Sequence, residues 1–415
     1  MILIRIFLCV YIFNFYNYIR AFTPQLRGDH TAVLLNDKIY FNGGNFSLGP
    51  QNTSVYASDQ LFYLDVSKSF SIDDISLMPW TDLSSVANLA NRSQSAACLD
   101  GISNTSIYFI AGQIGAGGSF LNVYDTATQR YSTPSDLGSF STKRTRSNVP
   151  CIVLNGRIYL YSGYSGYYYT IMLNTSSLTW TKFSPLLIPP HSQRYTATLL
   201  NNSILYIGCG QSDTMQQLAM YSTIDNIWSV INTSGEIPLT RCDHSSVFIS
   251  QFNQILIFYG SVNTTIDHSI IALNTLTYSW SIPTISNTGG PQPGLHEHTS
   301  TLVGTYVLIA FGYNQNGSST SGIYLLDVSQ EDNYKWVTTF NPTTPTPSSS
   351  SHSSTSKSSK SSNSSSSSNS LSMSIGAIIG SVIGGIAGLI LFTAIIVLAV
   401  HFIKNKYPSR VVETL

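Results

Sequence analysis

Residues 241–280 read RCDHSSVFISQFNQILIFYGSVNTTIDHSIIALNTLTYSW, and the fold follows from this stretch. After Arg241 and His244 comes a short apolar run, Val247-Phe248-Ile249. A second run, Ile255 to Tyr259, stops at Gly260. A third, Ile270 to Leu273, stops at Asn274, and Trp280 stands six residues later. Short β-favouring runs with a small or polar stop after each are strands and turns, not helices. The tryptophan marks a fourth strand. One such unit cannot cover both faces of its own sheet, so copies of it are expected to stack.

The copies are present. The second strand recurs as Ile39-Tyr40-Phe41, Ile107-Tyr108-Phe109, Ile158-Tyr159-Leu160 and Leu205-Tyr206-Ile207, and the repeat glycines are Gly44, Gly112, Gly163, Gly210, Gly260 and Gly312. The glycine steps are 68, 51, 47, 50 and 52 residues, so the first unit carries an insertion, placed between Asp65 and Trp80. A glycine held at one position predicts a positive φ or a close backbone contact. The third strand ends on Asp65, Asp125, Asn174, Ser222, Asn274 and Asp327, short side chains that start turns. An aromatic follows as Trp80, Tyr131, Trp180, Trp228, Trp280 and Trp336, and in units two to five the step to it is six residues. Such a register predicts a wedge between neighbouring sheets.

Six four-stranded units of about fifty residues predict an all-β, six-bladed β-propeller. The units resemble kelch repeats, whose pattern is a glycine pair after an Ile-Tyr-type strand, then an aromatic-Asp strand, then a Trp. The resemblance covers roughly residues 24–340. The pair is intact only at Gly43-Gly44; elsewhere its first member is Ala111, Ser162, Cys209, Tyr259 or Phe311. The resemblance implies a binding scaffold. The galactose oxidases also carry kelch-like blades, so a copper oxidoreductase or other carbohydrate-active surface enzyme is the alternative. That family's site needs a histidine directly after a tyrosine, and this chain has no Tyr-His step. No catalytic residue and no cofactor is assigned. Gly163-Tyr164-Ser165-Gly166 misses the spacing of a hydrolase elbow.

Both ends of the chain read as addresses rather than fold. Residues 1–21 form a secretory signal, with Arg5 before an apolar core. The propeller occupies residues 22–340. Residues 341–372 form a Ser/Thr-rich disordered stalk, with 17 serines among the 23 residues from Ser348 to Ser370. Residues 373–403 read as a transmembrane helix, because Ile375 to Val400 carries no charge over 26 residues and as a helix would be about 39 Å long. Lys404, Lys406 and Arg410 place the tail, residues 404–415, inside the cell. The expectation is a single-pass type I protein of the cell surface, bound to the membrane. Gly376, Gly380, Gly384 and Gly388 form a small-residue ridge that allows a homodimer, although glycine is common in membrane helices anyway.

Charged residues are 10% of the chain and the formal net charge is zero, which gives no basic surface for nucleic acid. Asn-x-Ser/Thr acceptors stand at Asn45, Asn52, Asn91, Asn104, Asn174, Asn201, Asn232, Asn263 and Asn316, with a further one, Asn363, in the stalk. Once Cys9 leaves with the signal, Cys98, Cys151, Cys209 and Cys242 remain. They allow three pairings, or buried free thiols.

Arginines gather before the first strand of most units: Arg27, Arg92, Arg144 with Arg146, Arg194 and Arg241. On equivalent loops they would ring one mouth of the central channel and bind an acidic peptide or anionic sugar. The competing reading is that each arginine bonds backbone carbonyls between blades. Tyr164, Tyr167 and Tyr168 lie in a turn and are further surface candidates for an extracellular protein or glycan. His30, His244 and His298 share a repeat position, and His296 shares a strand face with His298 if that stretch is extended. No acidic cluster joins them in sequence, so no metal site is assigned.

Overall fold

In the computed structural model, residues 245–281 fold as an antiparallel sheet of Ser245–Ile249, Gln254–Phe258, Ile270–Asn274 and Ser279–Ser281. The structure describes residues 22–49, 56–87, 90–116, 118–134, 148–162, 169–183, 194–209, 214–262, 265–266 and 269–342. The signal, most of the stalk, the transmembrane segment with Gly376 to Gly388, and the tail lie outside the described residues. Among those described, no helix is long and apolar enough to cross a membrane.

Within this blade Ile255 pairs with Leu273, Phe258 with Ile270, and Leu273 with Trp280. Every residue of Gln254–Phe258 is buried, because sheets cover it on both faces. Trp280, 2% exposed, packs among Leu205, Ile207 and Leu218 of the preceding blade and Ile255 and Leu273 of its own. Its indole Nε1 donates to the Met215 carbonyl at 3.3 Å. This is the expected wedge, and it contributes on the order of 3 kcal/mol. Trp80 is buried where the first and sixth blades meet and Trp228 between the third and fourth, whereas Trp180 and Trp336 are half-buried.

Five further sheets repeat the order, beginning at Thr31–Leu35, Ala96–Leu99, Cys151–Leu154, Thr196–Leu200 and Thr299–Val303. These first strands are innermost, and each contacts the next around a closed ring of six. The turn residues work as expected. Asn274 Oδ1 accepts from the Leu276 and Thr277 amides, Asp65 Oδ1 from Ser67, and Asp327 Oδ1 from Ser329. Gly260 sits at φ 90°, and a Cβ there would lie 2.6 Å from the Cys242 carbonyl oxygen. Its amide donates to Leu295 O of the next blade at 2.9 Å. Ala111, Tyr259 and Phe311, which replace the first glycine of the pair, still adopt φ of 61°, 52° and 58°. The backbone conformation therefore persists where the residue type does not. Gly163 and Gly210 lie outside the described residues.

The insertion in the first unit forms a two-residue strand, Phe70–Ser71, and a short 3-10 turn, Ile75–Leu77. Phe70–Ser71 pairs with Thr339–Phe340 at the end of the propeller, and the Phe70 and Phe340 rings stack 4.9 Å apart. Among the described residues the first and sixth blades are each built from contiguous chain, with no exchanged strand between them. Two disulfides tie neighbouring blades: Cys98–Cys151 joins the second to the third, and Cys209–Cys242 the fourth to the fifth.

Candidate functional site

The loop before each innermost strand contributes one residue at positive φ: Asp29, Gln94, Asn148, Arg194, Asp243 and Glu297, all between 52° and 67°. Their backbones form a closed circle around the channel. Gln94 N donates to Asp29 O at 2.8 Å, Asn148 N to Gln94 O at 2.9 Å, and Arg194 N to Asn148 O at 2.7 Å. Asp243 N then donates to Arg194 O at 3.1 Å, Glu297 N to Asp243 O at 2.9 Å, and Asp29 N to Glu297 O at 3.1 Å. The left-handed turn presents the amide to one neighbour and the carbonyl to the other. The six side chains line a cavity of about 270 Å³ at the channel mouth.

This geometry separates the arginines. Arg27 and Arg241 are each 1% exposed and Arg92 is 3% exposed. Arg27 Nη1 donates to Gly43 O at 2.8 Å, Arg92 Nη1 to Ala111 O at 2.6 Å, and Arg241 Nη1 to Tyr259 O at 3.2 Å. In each case the acceptor is the residue before the repeat glycine, so the arginine satisfies the carbonyl of that positive-φ turn. Burial pushes the Arg27 guanidinium down to about 9 and lowers Arg92 as well. These three side chains hold blades and are closed to a ligand. Arg194 differs. It stands two residues further along, at the position of Asp29 and Asp243, and its side chain is 41% exposed. Arg144, Arg146, Tyr164, Tyr167 and Tyr168 lie outside the described residues.

Arg194 is held between two acids, Asp243 at 3.2 Å and Glu297 at 3.5 Å. Asp29 completes the acidic side; its Oδ2 accepts from Asn45 Nδ2 at 3.1 Å and Gln94 Nε2 at 3.2 Å. Burial pushes Asp243 up to about 6, against the pull of Arg194. Glu297 is pushed up to about 9, first by burial and then by the Asp29 and Asp243 charges, so the Asp29–Glu297 pair retains a proton at neutral pH. The expectation that no acidic cluster joins the histidines is therefore corrected: Asp29, Asp243 and Glu297 meet through the ring, not through sequence.

His30, His244 and His298 lie just below the ring, buried and on separate blades. Each Nε2 pairs with a hydroxyl on a neighbouring inner strand: His30 with Thr299 at 2.9 Å, His244 with Thr196 at 3.0 Å, and His298 with Ser245 at 2.7 Å. Burial drives His244 and His298 down to about 3. They are neutral fasteners and do not converge on a metal. His296 does not share a face with His298, because Glu297 between them is not extended. Its ring stacks on Tyr313 at 5.5 Å.

Among the glycosylation acceptors, Asn91, Asn104, Asn201, Asn232 and Asn316 are exposed and Asn174 is half-buried. Asn45 is 7% exposed and its Nδ2, the atom a glycan would need, is committed to Asp29, so Asn45 is corrected to a structural residue. Asn52, Asn263 and Asn363 lie outside the described residues. Sequence reading missed Asp29, Gln94, Asn148, Asp243 and Glu297 as site residues. One signal was available: the acid-His steps Asp29-His30, Asp243-His244 and Glu297-His298.

The KLHDC2/KLHL20/DRC7 Kelch-repeats domain profile matches residues 29–260 and, in a second overlapping match, 194–362. The chain belongs to this kelch-repeat family. Similar curated proteins are Kelch domain-containing protein 3 of Bos taurus, Rattus norvegicus and Mus musculus. Each is 24% identical over 186 residues, which is 40% of this chain and 48% of the relative. The chain thus spans about half the length of the curated relatives it matches. A solved structure titled "Structure of YjhT" superposes with a TM-score of 0.55 at 12% identity, covering 76% of this chain and 98% of that one. That likeness concerns the fold. Together with the six sheets, the family match makes this a kelch propeller, a scaffold suited to protein interaction.

Proposed function

We propose that this kelch propeller is a non-enzymatic binding module of the cell surface that takes an extracellular protein or glycan at its channel mouth. The observation that carries the reading is Arg194, a half-exposed guanidinium held over a polar cavity by acids from two other blades. A carboxylate or sulfate on the ligand would take the place of those acids on its fork. Two disulfides between blades suit an oxidising compartment, as do the exposed acceptor asparagines. The signal, stalk, membrane span and type I orientation belong to this proposal, as does a homodimer through Gly376, Gly380, Gly384 and Gly388.

All four cysteines of residues 22–340 are in disulfides. None is left for the tyrosine–cysteine link of an oxidase of the galactose oxidase type, which favours binding over that alternative. The test uses secreted residues 22–342 on glycan and protein arrays. Arg194→Ala should abolish capture while the melting temperature stays near wild type. Capture that survives in the folded variant would sink the channel-mouth reading. Stoichiometric copper with hydrogen peroxide production from sugars would establish the enzyme instead.

A further inference from the structure

We infer that the acidic side of the ring is a divalent-cation site, formed by Asp243, His296 and Glu297 with the buried Asp29 carboxyl beside Glu297. One ligand atom from each of Asp243, His296 and Glu297 lies within 4.8 Å of the others. Atoms that share one ion at 2.0–2.5 Å stand roughly 3–4 Å apart, so small side-chain shifts would bring these three onto a common centre.

Asp29 supplies an independent observation. It is 7% exposed, and its Oδ1 is buried with no hydrogen-bond donor. Its carboxyl lies within hydrogen-bonding reach of the Glu297 carboxyl. Two buried carboxyl groups so placed need either a shared proton or a cation between them. Asp243 and Glu297 already converge on one cation, the Arg194 guanidinium, at 3.2 and 3.5 Å, and a metal ion would take its place between them. The donor set of carboxylate oxygens and one imidazole fits Mn²⁺, Zn²⁺ or Ca²⁺ better than thiol-seeking metals. The turn geometry also favours the site. Consecutive residues His296 and Glu297 reach the same point because Glu297 is left-handed at φ 53°.

Arg194 is the competitor. It pairs with both Asp243 and Glu297, is 41% exposed, and has room in the cavity to swing outward. The inference does not rest on the surface-binding reading, since it needs no ligand other than the ion.

The experiment titrates Mn²⁺, Zn²⁺ and Ca²⁺ separately into chelator-treated residues 22–342, by calorimetry and by melting temperature. The expected result is one equivalent of at least one ion. Affinity should fall at least tenfold in Glu297→Gln and Asp243→Asn, with metal-free melting showing both variants folded. Arg194→Met should tighten ion binding roughly tenfold or more, because a positive neighbour is gone. The same position should lose ligand capture, so the two readings fail separately. No saturable binding up to roughly 1 mM, the weak end for extracellular calcium modules, overturns the inference. Binding that survives both acidic substitutions also overturns it.

Discussion

Replacing Arg27 with methionine separates architecture from recognition. The guanidinium donates to Gln25 O at 3.0 Å, to Gly43 O at 2.8 Å and to Gln60 Oε1, and lies 4.6 Å over the Phe62 ring. Three charge-assisted bonds at about 2 kcal/mol each and a cation–π contact of about 1–2 kcal/mol give about 7–8 kcal/mol of interaction. Against this stands the cost of burial. Holding the guanidinium at about 9 represents about 5 kcal/mol at 1.36 kcal/mol per pH unit. The difference, about 2–3 kcal/mol, is the expected loss of stability in Arg27→Met, since the methionine fills the space but leaves the Gly43 carbonyl without a donor. Urea denaturation of the secreted propeller measures it. Ligand capture by the folded fraction should be unchanged. If Arg27→Met is within about 0.5 kcal/mol of wild type yet no longer captures ligand, Arg27 is a recognition residue and the account of the repeat arginines is wrong.

Two further expectations follow. His244 is held neutral by burial down to about 3, so its stabilising contribution is complete above about pH 6.5 and is lost as pH falls toward 3. At pH 4 the loss is on the order of 3 kcal/mol, so the urea-midpoint advantage of wild type over His244→Gln should shrink between pH 7 and pH 4; an advantage that grows on acidification would contradict the burial argument. Peptide mapping of the secreted protein should find glycans at Asn91, Asn104, Asn201, Asn232 and Asn316 and none at Asn45, whose amide is bonded to Asp29. A glycosylated Asn45 in folded protein would mean that the Asn45–Asp29 contact does not form.

The repeat was legible because its markers are local. Gly260, Asn274 and Trp280 each do their work within one blade or against the next, and that work restricts the residue type. The ring was not legible, because it repeats a backbone conformation and leaves the side chain free to be Asp, Gln, Asn, Arg, Asp or Glu. Arg194 shows the difference. In sequence it joins Arg27, Arg92 and Arg241 as one more arginine before a strand. In the fold it stands two residues later, and that offset moves it from a blade-holding position into the cavity. The acids were missed for a related reason. Asp29 and Glu297 are neighbours only because the sixth blade returns to the first.

That return has a cost that the other five junctions do not share. Phe70 and Phe340 meet across about 270 residues of chain, and drawing together the ends of such a loop costs about 5 kcal/mol in entropy. Burying the two stacked rings, 7% and 1% exposed, yields a comparable amount. The extra residues in the first copy supply this clasp, so shortening them toward the length of the other copies would remove the Phe70–Phe340 stack and leave the inner-strand contact and the shared core of the first and sixth blades to hold the ring closed.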